Sequence, residues 1–212
     1  MTIAVYKDFC PKSYVNFLEN YYSYEMKWAY VNKATGEEKG RDWKENCKDS
    51  PMMCLVHYDH KVPHDDTTNE IRSLLWFLEK ETQMEVTYLY RAKSNLYLKN
   101  EAWKDKMHVP HTDNGRTDAL SLIYYVNDSD GPTYFFNTKI TDKNPQDGKV
   151  IAKIHPKAGT GVVFESARFH AGTLPSEHPN RMVINIVFNA NNYNLKKASN
   201  VEYLEQTDSL SG

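Results

Sequence analysis

A chain of 212 residues with 40% hydrophobic side chains, 15 Tyr and 4 Trp can bury a sizeable core, which excludes a disordered polymer and points to one domain. Lysine and arginine number 26 against 28 acidic residues, so the net charge of −2 favours neither a nucleic acid nor an anionic membrane as partner. Cys10, Cys47 and Cys54 are odd in number and lack a C-x-x-C spacing, which reads as reduced thiols in a cytoplasmic protein.

No apolar run approaches the roughly 18 residues of a membrane-spanning helix. Met1 to Tyr6 has neither a basic n-region nor a long apolar h-region, so no signal peptide is expected. After Pro11, a helix is predicted over 11–27, starting at Lys12 or Ser13, with Tyr14, Phe17, Leu18 and Tyr21 on one face. Residues 28–50 are polar, with Thr35-Gly36 as a turn signal, and read as a hairpin or irregular loop. Met52 to Tyr58 reads as a strand. A second helix is predicted over 67–83, capped by Thr67 or Thr68, with Glu70 in its first turn. Its apolar stripe is Ile71, Leu74, Leu75 and Leu78, widened by Trp76 and Phe77.

The period then changes to two. Val86, Tyr88 and Tyr90 alternate with Thr87, Leu89 and Arg91, which is strand chemistry. Short strands are predicted at about 86–99, 107–112, 119–126, 133–137, 149–154, 161–165, 169–174 and 181–189. Turn clusters at 127–132, 144–148 and 156–159 separate them. This spacing predicts a sandwich or barrel with the N-terminal helices packed on one sheet. The expected organisation is a single domain over 1–212: a helical part at 1–84, a β core at 85–190 and a C-terminal strap or tail at 191–212. Residues 93–107, polar and containing Trp103, read as a candidate lid.

The chemistry concentrates in His111-Thr112-Asp113, the lone His170 and Arg181. Residues i and i+2 of a strand share a face, so His111 and Asp113 can both point into the sheet interior. With His170 they make two imidazoles and one carboxylate, the set that leaves one side of an octahedral Fe(II) open. Gly172, just after His170, reads as a tight bend. Arg181, interrupting an apolar strand, is placed to anchor a carboxylate. A rival cluster, His57, Asp59, His60 and His64, offers metal-capable groups, but it runs into the 67–83 helix and has no matching His–Arg pair. It reads as a polar loop at the rim of the site. His108, His155 and His178 read as residues of solvated loops.

Taken together, His111-Thr112-Asp113, Leu122 to Asn127, Gly131 to Phe136, Gly161 to Phe164, His170-Ala171-Gly172 and Arg181 to Asn185 carry a family likeness. Over about residues 85–190 the chain resembles the 2-oxoglutarate- and Fe(II)-dependent oxygenases, most of all their prolyl 4-hydroxylase-like branch. The resemblance implies an α+β, mainly β fold: a double-stranded β-helix, or jelly-roll, with N-terminal helices packed on one sheet. It implies Fe(II) on His111, Asp113 and His170. It places the distal carboxylate of 2-oxoglutarate on Arg181, with the Tyr125 hydroxyl beside it and Asn185 as a further polar contact. Arg91, Asn95 and Tyr97 resemble the polar lining beside cosubstrate and substrate. O2 is then the oxidant, and a peptidyl prolyl group, a similar residue, or a free amino acid or small metabolite is the substrate hydroxylated.

Two departures stand out. Relatives carry Gly-Gly-x-Thr where this chain reads Asp130-Gly131-Pro132-Thr133, which alters a turn at the mouth. Collagen-type prolyl hydroxylases carry lysine where Arg181 stands. Asp113 is present, whereas halogenating relatives replace that carboxylate, so hydroxylation is the expected outcome. A jelly-roll binding module with a vestigial metal site is disfavoured because the ligands and Arg181 are intact. A nucleic-acid demethylase would need a basic, aromatic-laced groove that the sequence lacks.

Overall fold

The computed structural model describes residues 3–35, 47–60, 62–63, 68–104, 106–193 and 201–203. Its first half comprises β1 (Ala4–Tyr6), α1 (Lys12–Asn20), β2 (Ala29–Val31), β3 (Met52–Asp59), β4 (Val62–Pro63) and α2 (Thr68–Thr82). Its second half is almost all strand: β5 (Glu85–Leu98), β6 (Leu120–Tyr125), β7 (Thr133–Lys139), β8 (Val150–Ile154), β9 (Gly161–Glu165), β10 (Arg168–Gly172), β11 (Asn180–Asn191) and β12 (Val201–Tyr203).

The strands form two sheets. The larger runs β12-β1-β9-β6-β11-β5-β3-β2, with β4 added to β3, and the smaller runs β10-β7-β8. Every pairing between these strands is antiparallel. Facing sheets of this kind, with helices on the outer face of the larger one, are the jelly-roll that the strand spacing predicts.

Period-two patterning sorts the side chains. From β6, Leu120, Leu122 and Tyr124 join Ile184, Ile186 and Phe188 of β11 in the core beneath the helices. Ile123, Tyr125 and Val183 point the other way and pack with Phe135, Val162 and Phe164 between the sheets. β11 therefore reads as one apolar run because both its faces are covered, and a polar residue on it needs a reason.

Helix α2 buries Ile71, Leu74, Leu75 and Leu78 as its periodicity requires. Trp76 is 64% exposed instead of widening the stripe. Two residues past Leu74, it is rotated roughly 200° away at about 100° per residue. Helix α1 is shorter than predicted and ends in a π-helical turn at Tyr21–Glu25. Its buried row is Val15, Leu18 and Tyr22, an i, i+3, i+7 set, and Phe17, expected inside, is 45% exposed. Polar residues 28–50 contribute β2, paired with β3. Gly36, the predicted turn glycine, and Thr67, one of the two predicted caps, lie outside the described residues.

His57 corrects a sequence expectation. It is not in a rim loop but on β3, fully buried, with Nε2 2.6 Å from Ser94 Oγ and 3.3 Å from the Tyr22 hydroxyl. Its polar atoms tie α1 to β5, whereas Asp59 and His60 turn toward solvent. His64 lies outside the described residues.

Leu74→Ala is expected to cost about 2–5 kcal/mol of stability, while Trp76→Ala should cost no more than about 0.5 kcal/mol. Urea denaturation of the two variants checks the contrast. Equal losses would contradict the orientation of α2.

Candidate active site

The strand predicted over 107–112 does not form. Pro110 lacks the N–H that a ladder needs, and the segment makes only isolated bridges, Cys47 to Met107 and His111 to His170. It is laid along β10 by hydrogen bonds from His108 N to Gly172 O (2.8 Å), His111 N to His170 O (3.0 Å) and Asp113 N to Ser166 O (3.1 Å). His170 N returns a bond to His111 O at 3.0 Å. This exchange, not a shared strand, brings the two imidazoles together, ring centroids 4.6 Å apart and planes tilted by 48°.

Side-chain atoms of His111, Asp113 and His170 all lie within 4.8 Å of one another, close enough for one metal ion to bridge. Among the described residues no other such group of His, Cys, Asp or Glu exists. Each imidazole has Nδ1 on a backbone carbonyl: His111 on Val109 O at 3.4 Å, His170 on Arg168 O at 3.2 Å. A carbonyl can only accept, so Nδ1 carries the hydrogen and the Nε2 lone pair is left for the site. Burial, then the neighbouring imidazole, pushes His111 well below the ordinary histidine range, against the pull of Asp113. Burial likewise lowers His170. Burial alone would raise the Asp113 carboxyl, but His170, Arg91, His111 and the Asn185 amide outweigh it and keep the group ionised. The donor set is thus two neutral imidazoles and one carboxylate, the protonation states that a metal requires.

Asn185 Nδ2 donates to Asp113 Oδ2 at 2.8 Å, and Arg91 Nη2 lies 3.4 Å from Asp113 Oδ1 and 3.3 Å from its backbone oxygen. Both side chains hold the carboxylate in place. Asn185 shares a cleft with the triad, Asn95, Tyr97 and Arg181.

Arg181 is 3% exposed, yet among the described residues no carboxylate lies within ion-pair distance of it. Its Nη2 donates to Thr133 Oγ1 at 2.8 Å, and its Nε is buried without a partner. The Tyr97 and Tyr125 rings flank the guanidinium, at 5.3 and 5.9 Å from Cζ. Tyr125, read from the sequence as a cosubstrate contact, is fully buried with its ring beside Arg181. Its hydroxyl donates to Thr133 Oγ1 at 2.8 Å. Thr133 Oγ1 thus accepts twice and has its own hydrogen free for an anion.

Thr133, Lys93 and Gly172 also line the cleft, a place that sequence reasoning did not give them. Thr133 stood inside the Gly131 to Phe136 motif. Lys93 lies in the same period-two row as Arg91, Asn95 and Tyr97, so the row itself was the signal. Gly172 is no tight bend: it sits inside β10, and a Cβ there would come within 3.3 Å of the Arg181 guanidinium. The candidate lid also changes, because Lys93 to Leu98 belongs to β5 and Trp103 is buried in a short turn. His108 is not solvated: it is buried between Tyr97 and Trp103, 3.6 Å from Asp49. His155 and His178 are exposed.

These features fit a divalent metal beside a dicarboxylate. The triad supplies the donors, and a buried guanidinium with no acid partner, given clearance by a glycine, supplies the anion seat. Residues 101–189, which carry the triad and Arg181, match the model of the 2OG-Fe(II) oxygenase superfamily. No curated protein sequence matches the chain. Its fold is similar to that of a Pseudomonas putida prolyl-4-hydroxylase (17% identity, TM-score 0.51, 88% of this chain and 92% of that one). It is also similar to a Trichoplax adhaerens prolyl hydroxylase solved with a hypoxia inducible factor peptide fragment (14%, 0.54, 88% and 83%). A third likeness is to the epimerase SnoN of nogalamycin biosynthesis, solved with Fe3+, alpha ketoglutarate and nogalamycin RO (12%, 0.54, 88% and 78%). The segment 101–189, which carries the triad and Arg181, is thus similar to the 2-oxoglutarate/Fe(II) oxygenase superfamily. Members of that superfamily are oxidoreductases that use Fe(II), 2-oxoglutarate and O2, and the His111, Asp113 and His170 group fits the iron. No described helix is long and apolar enough to cross a membrane.

Two imidazoles held neutral when folded, yet free to protonate when unfolded, make the unfolded state bind more protons at low pH. Metal-free protein is therefore expected to keep its full stability above about pH 6.5 and to lose it progressively below that, with a shallower loss in His111→Gln. Urea midpoints measured across this range check it, and a flat wild-type profile would rule out burial of the neutral pair.

Proposed function

We propose that His111, Asp113 and His170 hold Fe(II), that Arg181 and Thr133 hold the distal carboxylate of 2-oxoglutarate, and that the chain acts as a single hydroxylase domain. The observation that carries this reading is the pairing of a preset metal triad with a buried, acid-free guanidinium in one cleft. Bound iron and 2-oxoglutarate supply an O2-dependent oxidation of a C–H bond, with succinate and CO2 as coproducts.

The chain's own part is positional. The triad takes one side of the metal and leaves the other for ligands. Asn185 and Arg91 lock Asp113 in its orientation and charge state. Arg181 presents a planar fork to a carboxylate, and Thr133 adds a neutral donor beside it. Tyr125 works at one remove, fixing the Thr133 hydroxyl. Ile123 and Val183 give the cleft apolar walls that keep water off the reacting centre.

Two substrate classes are compatible with this reading, and the fold shared with prolyl hydroxylases supports the first, a prolyl or similar residue of a peptide. A free amino acid or small metabolite is the second reading, favoured by Lys93, a cation in the cleft with no acid partner.

Anaerobic Fe(II) plus 2-oxoglutarate should give a weak visible charge-transfer band that His111→Ala abolishes. A metal-loaded, folded wild type without that band would sink the oxygenase assignment. Arg181→Ala should weaken 2-oxoglutarate binding by about 10- to 100-fold, the loss of a charge-assisted bond, and leave metal binding in place. Gly172→Ala should weaken it in the same direction. Titration calorimetry with 2-oxoglutarate separates the two effects, and unchanged affinity in Arg181→Ala would remove that residue from its role.

A further inference from the structure

One charge in the cleft is unaccounted for by the reading above. Lys93 stands on β5 opposite Asn185 of β11, the residue that grips Asp113. Its alternation partners on the other face, Ala92 and Ser94, are buried toward the helices, so Lys93 faces the cleft with Asn95 and Tyr97. Burial, then Arg91, lowers the Lys93 amine below its ordinary range against the pull of Asp113, so an anion bound beside it would favour its charged form. Among the described residues its ammonium makes no hydrogen bond or ion pair. A half-buried ammonium without a partner is costly unless an anion arrives to meet it.

Charge balance points the same way. Arg91 lies 3.4 Å from the Asp113 carboxylate, and Lys93 and Arg181 line the cleft that this one carboxylate shares. A divalent metal and a dianionic cosubstrate cancel each other, so the positive excess survives full loading. Arg181 pairs with Tyr97 and Lys93 with Asn185, which separates the two cations by four strand positions, roughly 13 Å of backbone. One carboxylate cannot serve both ends of that row. Asn95 adds a second, independent demand. It is 6% exposed, lines the cleft, and its Oδ1 is buried with no hydrogen-bond donor among the described residues. A cationic donor and an unmet amide acceptor on one strand face suit a molecule that carries a carboxylate next to an N–H group.

Building on the oxygenase reading, we infer that Lys93 and Asn95 form a substrate subsite for a free α-amino acid. Lys93 binds its carboxylate, and Asn95 Oδ1 accepts from its amino group. Substrate specificity then resides in the β5 row beside the metal, away from the Arg181 seat.

The test loads the intact protein anaerobically with Fe(II) and 2-oxoglutarate and follows the visible band as single L-amino acids are added, each as free acid and as carboxamide. At least one free acid should shift the band, and its carboxamide should bind about tenfold more weakly or worse. Lys93→Met should weaken that acid by a similar factor with an unchanged 2-oxoglutarate dissociation constant, and Lys93→Arg should recover part of the loss. The acid-against-amide comparison stands on wild type alone if a variant does not fold. A band that forms and ignores every free acid overturns the proposal, as does equal binding of acid and amide. Loss of 2-oxoglutarate affinity in Lys93→Met overturns it by assigning Lys93 to the cosubstrate. A shift with N-acetylated prolyl peptide amides alone overturns it in favour of a peptide substrate. If the band never forms, the oxygenase reading fails, and this proposal with it.

Discussion

Two backbone hydrogen bonds, exchanged between His111 and His170, hold the site together. Pro110 takes residues 107–113 out of any regular ladder, so the first half of the triad would otherwise hang on a free loop. The exchange docks that loop on β10, and the bond from Asp113 N to Ser166 O continues the docking past the carboxylate. Each imidazole then finds a backbone carbonyl for Nδ1, which fixes its tautomer. A few main-chain bonds thus settle distance, ring orientation and protonation together.

The anion seat depends on a different economy of space. β11 lies at the centre of the large sheet, and over its buried stretch Arg181 to Phe188 all side chains are apolar except Arg181 and Asn185, which open into the cleft. Arg181 fits there because Gly172, on the facing sheet, has no side chain. The turn that delivers β11 is pinned by Asp130, whose carboxylate accepts from the backbone N–H groups of Ser176, Glu177 and His178. That is a physical use for the unusual Asp130-Gly131-Pro132 turn. Gly131 itself touches the backbone of Thr173 to Pro175 so closely that a Cβ would stand 3.0 Å from it.

The sequence makes the strands from β5 to β11 legible because each alternates or is uniformly apolar and is bounded by turn residues. The triad and Arg181 are legible by the company they keep. What the sequence conceals is three-dimensional. The environment of His57 depends on Ser94 and Tyr22, far away in the chain, so its polarity reads as a loop when it is a buried tie. Phe17 and Trp76 are apolar residues one step off their helical stripes, and composition alone places them inside. Tyr125 has the right strand and the right face, but its hydroxyl stops at Thr133, a distinction of one side-chain length that no motif encodes.

The polar groups of the cleft divide into those that satisfy one another and those that do not. Asp113, Asn185 and Arg91 close a small network around the carboxylate, and both imidazoles are anchored behind the site. Arg181 Nε and Asn95 Oδ1 are buried and unmet, and the half-buried Lys93 amine makes no hydrogen bond or ion pair, among the described residues. A buried polar atom without a partner costs on the order of 1–3 kcal/mol, and natural folds keep few of them unless something binds there. Their positions are not random: one lies at the Arg181 end of the cleft and two on the β5 row beside the triad. The hydrogen bonds of the cleft hold His111, Asp113 and His170 rigid, and the remaining donors and acceptors face the cleft at two places, the two seats proposed above for cosubstrate and substrate.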